Sequence, residues 1–380
     1  MASGAGVRRV VVMAAWCLGV AWGGAAQAQE VEETEEGLSW VGFPTFKFND
    51  DSGFVYGAQA SLIEVQEGRA PFVWEMRARA EHSTRNRHDH ALVFDAPHLL
   101  PRVGRLSVRA EMLHIDDANY FGVGNGTTRE RPESSYRMRL TQPRMQVNVR
   151  RDLGDALFVS SGVEASWARI TSEAGSLLDL QRPRGWEGSH ALAGRLSLGY
   201  DSRDNEIVPR SGLFTELYVK GASAALGSSA TFGALGATQQ LYASPVPWLV
   251  AAGRVMVDAL VGEVPLAELY RMGGERSFRG LGGVFSQRGY SEGRFIGRTK
   301  LLTNGELRLL APPVWGGLQL GGGPFVDASR VVDGGPLWEE VHVSGGGEVV
   351  IGWQDIFIFR MDYAVSDEES LFYIEGRYLF

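Results

Sequence analysis

Alternation of apolar and charged residues at every second position constrains the fold of this chain more than any other feature. In segment 357–363 the odd positions are Phe, Phe, Met and Tyr, whereas Arg360 and Asp362 lie on the opposite face of an extended strand. In segment 371–380 two charged residues alternate in the same way with aromatic and aliphatic ones. A soluble β-sandwich would bury such charges in a dry core at high cost. A membrane barrel points them into a hydrated lumen and turns its apolar face to lipid, so the alternation favours the barrel.

The spacing of the alternating segments predicts sixteen strands, whose connections fall into two classes. One class is short and turn-like, as at 66–68, 152–155 and 244–247, and the other is longer and more polar. The longer connections are 116–134, 172–189, 263–295 and 328–340. Short turns on one side of the membrane and long loops on the other are typical of outer-membrane barrels.

The two ends of such a sheet must also meet. An open sheet edge in hydrocarbon leaves backbone N–H and C=O groups without partners, which is unfavourable for each group. We therefore expect the first strand, near residues 39–48, to pair with the last, at 371–380, and the terminal Phe380 to lie in this seam. The predicted fold is all-β, a 16-stranded antiparallel transmembrane β-barrel.

The first 28 residues have the composition of a secretory signal. Arg8 and Arg9 precede an apolar run, and residues 26–28 read Ala-Gln-Ala, a small-x-small cleavage site. A single membrane-anchoring helix is the alternative interpretation of this segment. The predicted organisation is a signal peptide at 1–28, a short acidic periplasmic tail at 29–38 and an outer-membrane β-barrel at 39–380.

Cysteine content and charge exclude other classes of protein. The only cysteine, Cys17, lies in the predicted signal peptide, so the mature chain would have neither disulfide nor thiol chemistry. Removing Arg8 and Arg9 from the 37 basic residues leaves 35 against 45 acidic ones, a net charge of −10. A chain this acidic is a poor partner for nucleic acid, and we predict none.

Several short motifs occur in order between residue 119 and the C-terminus. The segments are 119–127 (NYFGVGNGT), 201–205 (DSRDN), 209–212 (PRSG), 278–281 (FRGL), 304–308 (NGELR), 323–327 (GPFVD) and 360–364 (RMDYA). Together they resemble the bacterial surface antigen superfamily, which includes the BamA/TamA outer-membrane assembly barrels and the two-partner translocators. In that family the loop between strands eleven and twelve carries a (V/I/L/F)-R-G-(F/Y) motif, and strand thirteen carries F-x-D-x-G.

The resemblance implies that the long loop folds back into the lumen and is anchored there by a charge pair. It assigns the pair to Arg279 and Asp327, with Glu306 as a second acceptor. The predicted lumen loop anchor comprises Phe278, Arg279, Gly280, Leu281, Glu306, Phe325 and Asp327. The predicted C-terminal assembly signal and seam comprise Tyr378 and Phe380.

The chain departs from the family pattern at three places. Leu281 replaces the aromatic residue after Arg-Gly, and Ser329 stands where F-x-D-x-G has glycine. These departures affect the packing of the loop. On the residues alone, Arg279 could be an ordinary solvated loop arginine. Family members usually carry periplasmic polypeptide-transport-associated (POTRA) domains, and only about ten residues separate the predicted signal from the first strand. We therefore expect a member that lacks POTRA domains.

Two kinds of chemical site were considered and not predicted. His82, His88, Asp89 and His90 could bind a transition metal, but their spacing matches no known closed site. No G-x-S-x-G motif occurs, and no histidine has a context that suggests an activated nucleophile. The sequence predicts no metal, no cofactor and no enzyme activity.

The resemblance implies a role at the bacterial outer membrane. We expect a barrel that aids insertion or transport of polypeptides, or of lipid. The alternative is a passive pore or structural barrel without assembly activity. The implied partners are outer-membrane lipid, the barrel assembly machinery for its own insertion, and a periplasmic partner or client polypeptide supplied in trans.

Overall fold

The computed structural model describes residues 37–66, 72–100, 104–206, 208–314, 317–332, 339–353 and 357–380. The predicted signal peptide and all but two residues of the predicted acidic tail lie outside these ranges. Within them the chain forms sixteen barrel strands. The strands are β1 Gly37–Asn49, β2 Gly53–Val65, β3 Trp74–Ser83, β4 Arg87–Leu100, β5 Gly104–Asn119, β6 Arg137–Asp152, β7 Leu157–Ser172, β8 Gly188–Asp201, β9 Gly212–Ala222, β10 Phe232–Val246, β11 Leu249–Gly262, β12 Thr299–Leu310, β13 Leu318–Val331, β14 His342–Trp353, β15 Phe357–Val365 and β16 Ser370–Glu375.

The strands form one closed antiparallel barrel in which each strand pairs with its neighbours in sequence. β11 pairs with β12 across the longest connection, from Leu249 opposite Leu309 to Ala259 opposite Thr299. The last strand closes the sheet by pairing with the first. The predicted 16-stranded antiparallel barrel is confirmed. β1 begins at Gly37, two residues before the predicted start.

The barrel is apolar outside and charged inside. On β11, Val255 and Val261 expose 48% and 63% of their surface, whereas Arg254 and Asp258 expose 5% and 3%. This pattern is the reverse of a soluble protein and is that of a sheet whose outer face meets lipid. The same alternation on β15 buries the charged positions on which the sequence argument relied, Arg360 and Asp362.

In the part of the chain that the structure describes, helical structure is confined to short segments in the loops. The helices are α1 Leu177–Gln181 and α2 Leu266–Leu269, and 3₁₀ turns occupy Glu133–Tyr136 and Ala224–Leu226. The Ser176 side chain caps α1 by accepting a hydrogen bond from the Asp179 N–H, which satisfies one free donor of its first turn. Among the described residues, no helix is both long and apolar enough to span a membrane.

The seam between β1 and β16 is short. Within the described chain these strands pair only at Phe48 with Ile374 and at Asn49 with Tyr373. By contrast, β1 pairs with β2 along its whole length, from Gly37 to Asn49. The side chains add an aromatic contact between Phe48 and Phe372, whose ring centroids are 6.1 Å apart.

The last five residues leave the seam and turn into the lumen. The Arg308 guanidinium lies 3.8 Å from the ring centroid of Tyr378, and the Arg254 guanidinium lies 4.9 Å from that of Phe380. The prediction that Phe380 lies in the seam is therefore wrong, and Tyr378 is likewise absent from the strand pairing. The physical reason is that two lumen arginines offer cation–π contacts to these rings.

Candidate functional site

The connection between β11 and β12, residues 263–298, folds back into the barrel and is called the lumen loop below. Its distal half is a hairpin in which Leu281 and Phe295 exchange backbone hydrogen bonds, both 3.1 Å long. Gly282 has φ +102°, and a side chain there would meet the Ser291 carbonyl oxygen, so the hairpin needs glycine at this position. Tyr290 and Phe295 are completely buried. The predicted folding of the long loop into the lumen is confirmed.

Arg288, at the tip of the hairpin, anchors the loop to the barrel wall. Its Nε and Nη2 atoms donate to the two carboxylate oxygens of Asp327 on β13 at 2.9 and 3.0 Å, and its backbone N–H donates to the same carboxylate at 3.0 Å. Its Nη1 atom lies 2.9 Å from Glu306 Oε1. The guanidinium also lies 3.5 Å from the ring centroid of Phe325. The planar guanidinium thus binds a carboxylate through two hydrogen bonds and stacks on an aromatic ring at the same time.

Burial and the neighbouring carboxylates shift the pKa of Arg288 in opposite directions. Its side chain is completely buried, which disfavours the charged form. Asp327 and Glu306 outweigh that effect and hold the pKa of Arg288 above its usual range. The arginine is therefore a fixed positive charge inside the lumen.

The predicted pairing of Arg279 with Asp327 is wrong. Arg279 Nε lies 2.8 Å from Glu292 Oε1 within the same loop, and its guanidinium lies 5.1 Å from the ring centroid of Tyr270. Both oxygens of Asp327 are already occupied by Arg288. Gly280 likewise approaches the loop itself, since a side chain there would meet the Gly293 backbone at 3.0 Å.

The sequence around Arg288 matches the family motif better than the sequence around Arg279. The loop has two Arg-Gly dipeptides, and only the second, Arg288-Gly289, is followed by an aromatic residue, Tyr290. Leu281 follows the first dipeptide, and this departure from the motif argues against Arg279 as the anchor. Gly289 has φ +87°, and a side chain there would lie 3.1 Å from the Ser344 side chain on β14.

Of the other predicted anchor residues, some lie on the barrel wall and the rest lie in the lumen loop. Glu306, Phe325 and Asp327 all contact Arg288, whereas the prediction assigned Asp327 and Glu306 to Arg279. Leu281 is completely buried in an apolar cluster between the loop and the barrel wall, which includes Met256 and Leu302, and Phe278 packs against that cluster. The arginine that contacts these wall residues is therefore Arg288 and not Arg279.

Two departures from the family motif contact each other. Gln287 stands at the apolar position before Arg-Gly, and Ser329 stands at the glycine of F-x-D-x-G. The Ser329 hydroxyl donates a hydrogen bond to Gln287 Oε1, and both residues are buried. Gln287 Nε2 donates to the His342 carbonyl at 2.7 Å. The two departures from the motif therefore satisfy each other's buried hydrogen-bonding groups.

Replacing Ser329 with alanine should destabilise the barrel by about 1–3 kcal/mol, because Gln287 Oε1 would remain buried without a donor. Ser160 provides the matched control: it is completely buried, and within the described chain its hydroxyl makes no hydrogen bond. Ser160→Ala should therefore have almost no effect. Chemical denaturation in lipid vesicles measures the free energy of unfolding of both variants. Equal losses would contradict the assigned hydrogen bond.

A network of paired charges extends around the anchor. Arg308 donates to Glu306 at 2.7 and 3.0 Å, and Arg360 Nε lies 3.1 Å from Asp362 Oδ2. Asn304 Nδ2 donates to Asp327 Oδ1 at 2.8 Å. Because these groups are almost completely buried, each charge depends on its partners to offset the loss of water.

A second set of contacts fixes the base of the hairpin near the outer end of the barrel. Glu292 Oε2 accepts a hydrogen bond from Arg87 on β4 at 2.6 Å, while the Glu292 backbone N–H donates to Asp51 at 2.8 Å. Burial raises the pKa of Glu292, but Arg87 and Arg279 outweigh it and hold that pKa below its usual range. The loop is thus held by charge pairs at both ends.

The outer loops close over this end of the lumen. Arg294 binds Glu368 at 2.6 Å and the Thr127 hydroxyl at 2.7 Å. The Ser291 N–H donates to Glu369 at 2.6 Å. A large apolar cluster packs beneath these contacts. It includes Tyr120, Phe121, Tyr136, Leu178, Leu266, Tyr270 and Ile296.

Comparison with known proteins agrees with this architecture. The family model for the Omp85 superfamily domain matches residues 74–366. No curated protein matches the chain at a significant level.

Solved barrels have similar folds at low sequence identity. BamA from Haemophilus ducreyi lacking POTRA domains 1–3 has a TM-score of 0.60 at 15% identity, over 90% of this chain and 70% of that one. CdiB from Acinetobacter baumannii has a TM-score of 0.54 at 11% identity, over 90% and 60% of the two chains. CdiB from Escherichia coli has a TM-score of 0.55 at 9% identity, over 90% and 62%. The chain thus spans less than two thirds of either CdiB.

The family model covers well over half of the chain, and the closed barrel with its lumen loop agrees with it. The predicted resemblance to the BamA/TamA barrels is confirmed, and this chain belongs to the Omp85 superfamily.

Proposed function

We propose that this chain is an outer-membrane barrel that aids the insertion or transport of polypeptides, or of lipid, through a seam between β1 and β16. The seam opens laterally or pairs with an incoming strand, and the lumen loop gates the lumen. The observation that carries the proposal is the seam itself, which is held by two residue pairs.

The seam leaves most of β1 available to a new strand. Its backbone from Gly37 to Lys47 pairs with β2 on one side, and on the other side β16, among the residues that the structure describes, reaches only Phe48 and Asn49. An exposed edge of this kind can be extended by an incoming strand through main-chain hydrogen bonds. In hydrocarbon, unpaired edge groups favour such an addition strongly, because no water is available to satisfy them.

The lumen loop contacts β16, which forms one side of the seam, and the turn before it. Arg288 binds β13, and the next residue, Gly289, donates its N–H to the Tyr373 hydroxyl on β16 at 3.2 Å. Tyr290 donates to Asp367 in the turn before β16. A shift of the loop tip would therefore change contacts at the last strand, which supports coupling between the loop and the seam.

The apolar outer face supports a location in the outer membrane and contact with its lipid. The barrel would itself depend on the barrel assembly machinery for insertion. A periplasmic partner or a client polypeptide would be supplied in trans. We propose no catalytic role.

A passive pore is the less supported alternative. The lumen loop and its charge network occupy the interior of the barrel, where Arg288 on the loop is paired with Asp327 and Glu306 on the wall. The intact barrel should therefore conduct ions poorly.

Deletion of the chain followed by quantitative outer-membrane proteomics tests the proposed function. We expect a specific set of outer-membrane or exported proteins to fall several-fold and to recover when the chain is supplied from a plasmid. A change confined to outer-membrane lipid composition would indicate lipid as the cargo. An unchanged proteome and unchanged lipids would contradict the proposal and favour the structural alternative.

A further inference from the structure

Three histidines converge on the outward face of β3 and β4, close to the outer rim of the barrel. His82 on β3 lies directly opposite His88 on β4, and His90 lies two residues further along the same face. The three residues are called the histidine cluster. The tight turn at 84–86 joins the two strands, so the hairpin itself brings the three residues together.

The ring nitrogens of the histidine cluster are close enough to share one ion. One nitrogen from each of the three residues lies within 4.8 Å of the others. The Nδ1 atoms of His82 and His88 are 2.6 Å apart. Nitrogen ligands at about 2.0–2.1 Å around a tetrahedral metal lie roughly 3.4 Å from one another. Side-chain adjustments on the order of 1 Å would therefore reach this geometry.

The surroundings of the cluster favour nitrogen ligation. Asp89 points to the opposite, luminal face, where it binds Arg79 at 2.8 Å, so it contributes no carboxylate. The three imidazoles are half-buried and remain open to solutes from the membrane surface. The neutral imidazole ring is the form that binds a metal.

A fourth histidine borders the cluster in a fixed orientation. His114 on β5 lies opposite His88, with ring centroids 5.7 Å apart. Its Nδ1 and Nε2 atoms contact the Thr141 hydroxyl at 2.8 Å and Asp116 at 3.1 Å. Because both nitrogens of His114 are engaged, it is a neighbour of the cluster rather than a ligand.

We propose that His82, His88 and His90 form a binding site for a divalent transition-metal ion on the outward face of the barrel. The site supplies three imidazole ligands and leaves a fourth position for water or an external donor. Imidazole ligands suit Zn²⁺, Cu²⁺ and Ni²⁺, whereas Mg²⁺ and Ca²⁺ require oxygen donors. The ion links β3 to β4 beside the turn that joins them.

Zinc titration of the mature barrel in detergent micelles tests this site. The protein is purified without a polyhistidine tag, and Zn²⁺ binding is measured by competition with a coloured chelator. We expect one ion per barrel, with affinity reduced about tenfold or more by His82→Ala, His88→Ala or His90→Ala, as expected for loss of one ligand. Cu²⁺ loaded into the same site should show nitrogen hyperfine splitting in its electron paramagnetic resonance spectrum.

His190→Ala is the matched control, because His190 is an exposed histidine on a strand, outside the group of three whose nitrogens converge. It should bind Zn²⁺ like the unaltered protein. Heat-modifiable migration in gels checks that every variant is folded. The proposal would be overturned if folded variants of the cluster bound Zn²⁺ as tightly as His190→Ala, or if bound Cu²⁺ showed no nitrogen splitting.

Discussion

Replacing Arg288 with alanine is expected to release the lumen loop and to raise the single-channel conductance of the barrel severalfold. The substitution removes the bidentate pair with Asp327 and the contact with Glu306 at once. It leaves Asp327 buried without its cation, which costs about 3–5 kcal/mol. The loop tip also loses its contact with Phe325, so its contacts with β13 are reduced to the hydrogen bonds of the residue-288 N–H with Asp327 and of Gln287 with Ser329. Planar bilayer recordings measure the conductance.

Arg279→Ala is the matched control for this prediction. Arg279 lies in the same loop and is mostly buried, but it contacts Glu292, which keeps Arg87 as a partner. We expect a smaller loss of stability and little change in conductance. Arg288→Lys should be intermediate, because lysine retains the charge and loses the bidentate geometry.

A double substitution separates loss of the anchor from the cost of an unpaired charge. Arg288→Ala combined with Asp327→Ala should unfold at a higher temperature than Arg288→Ala alone, since no isolated carboxylate remains. Its conductance should stay high, because the loop is still unanchored. Higher conductance in Arg279→Ala than in Arg288→Ala would contradict the assignment of the anchor.

The barrel could be predicted from the sequence because its signal is local. A charged residue at every second position of a strand, as at Arg360 and Asp362, points to a wet lumen whatever the rest of the chain does. The same pattern continues through 376–380 and led to a predicted strand that the structure ends at Glu375. Contacts with Arg254 and Arg308, which are distant in sequence, decide the course of those last residues.

The anchor could be predicted only in part because two arginines compete for one aspartate. The motif fixes a dipeptide, and the loop contains that dipeptide twice. Which copy reaches Asp327 depends on the hairpin geometry, although Tyr290 gave a usable local signal. The histidine cluster illustrates the same limit. Alternation alone separates Asp89 from His88 and His90, whereas the strand register is needed to bring in His114.

Cross-linking the seam is expected to abolish the proposed activity. Phe48 and Ile374 are paired across β1 and β16, and facing positions in antiparallel strands have Cα separations of about 4.5–5.5 Å, within reach of a disulfide. The only natural cysteine, Cys17, lies in the predicted signal peptide, so the double variant Phe48→Cys, Ile374→Cys would add the only reactive pair. Under oxidation it should fail to restore the proteins lost on deletion. Reduction should recover the activity.

The control is a second disulfide, which joins the same β1 position to β2 instead of β16. Phe54 on β2 lies opposite Phe48, so Phe48→Cys with Phe54→Cys forms a disulfide that leaves the seam free. Because both locks stiffen β1, a difference between them isolates the seam. Activity of the oxidised seam lock equal to that of the control would contradict lateral opening and strand addition there. Loss of activity in both would instead require movement of β1 relative to β2, since the control leaves β16 unconstrained.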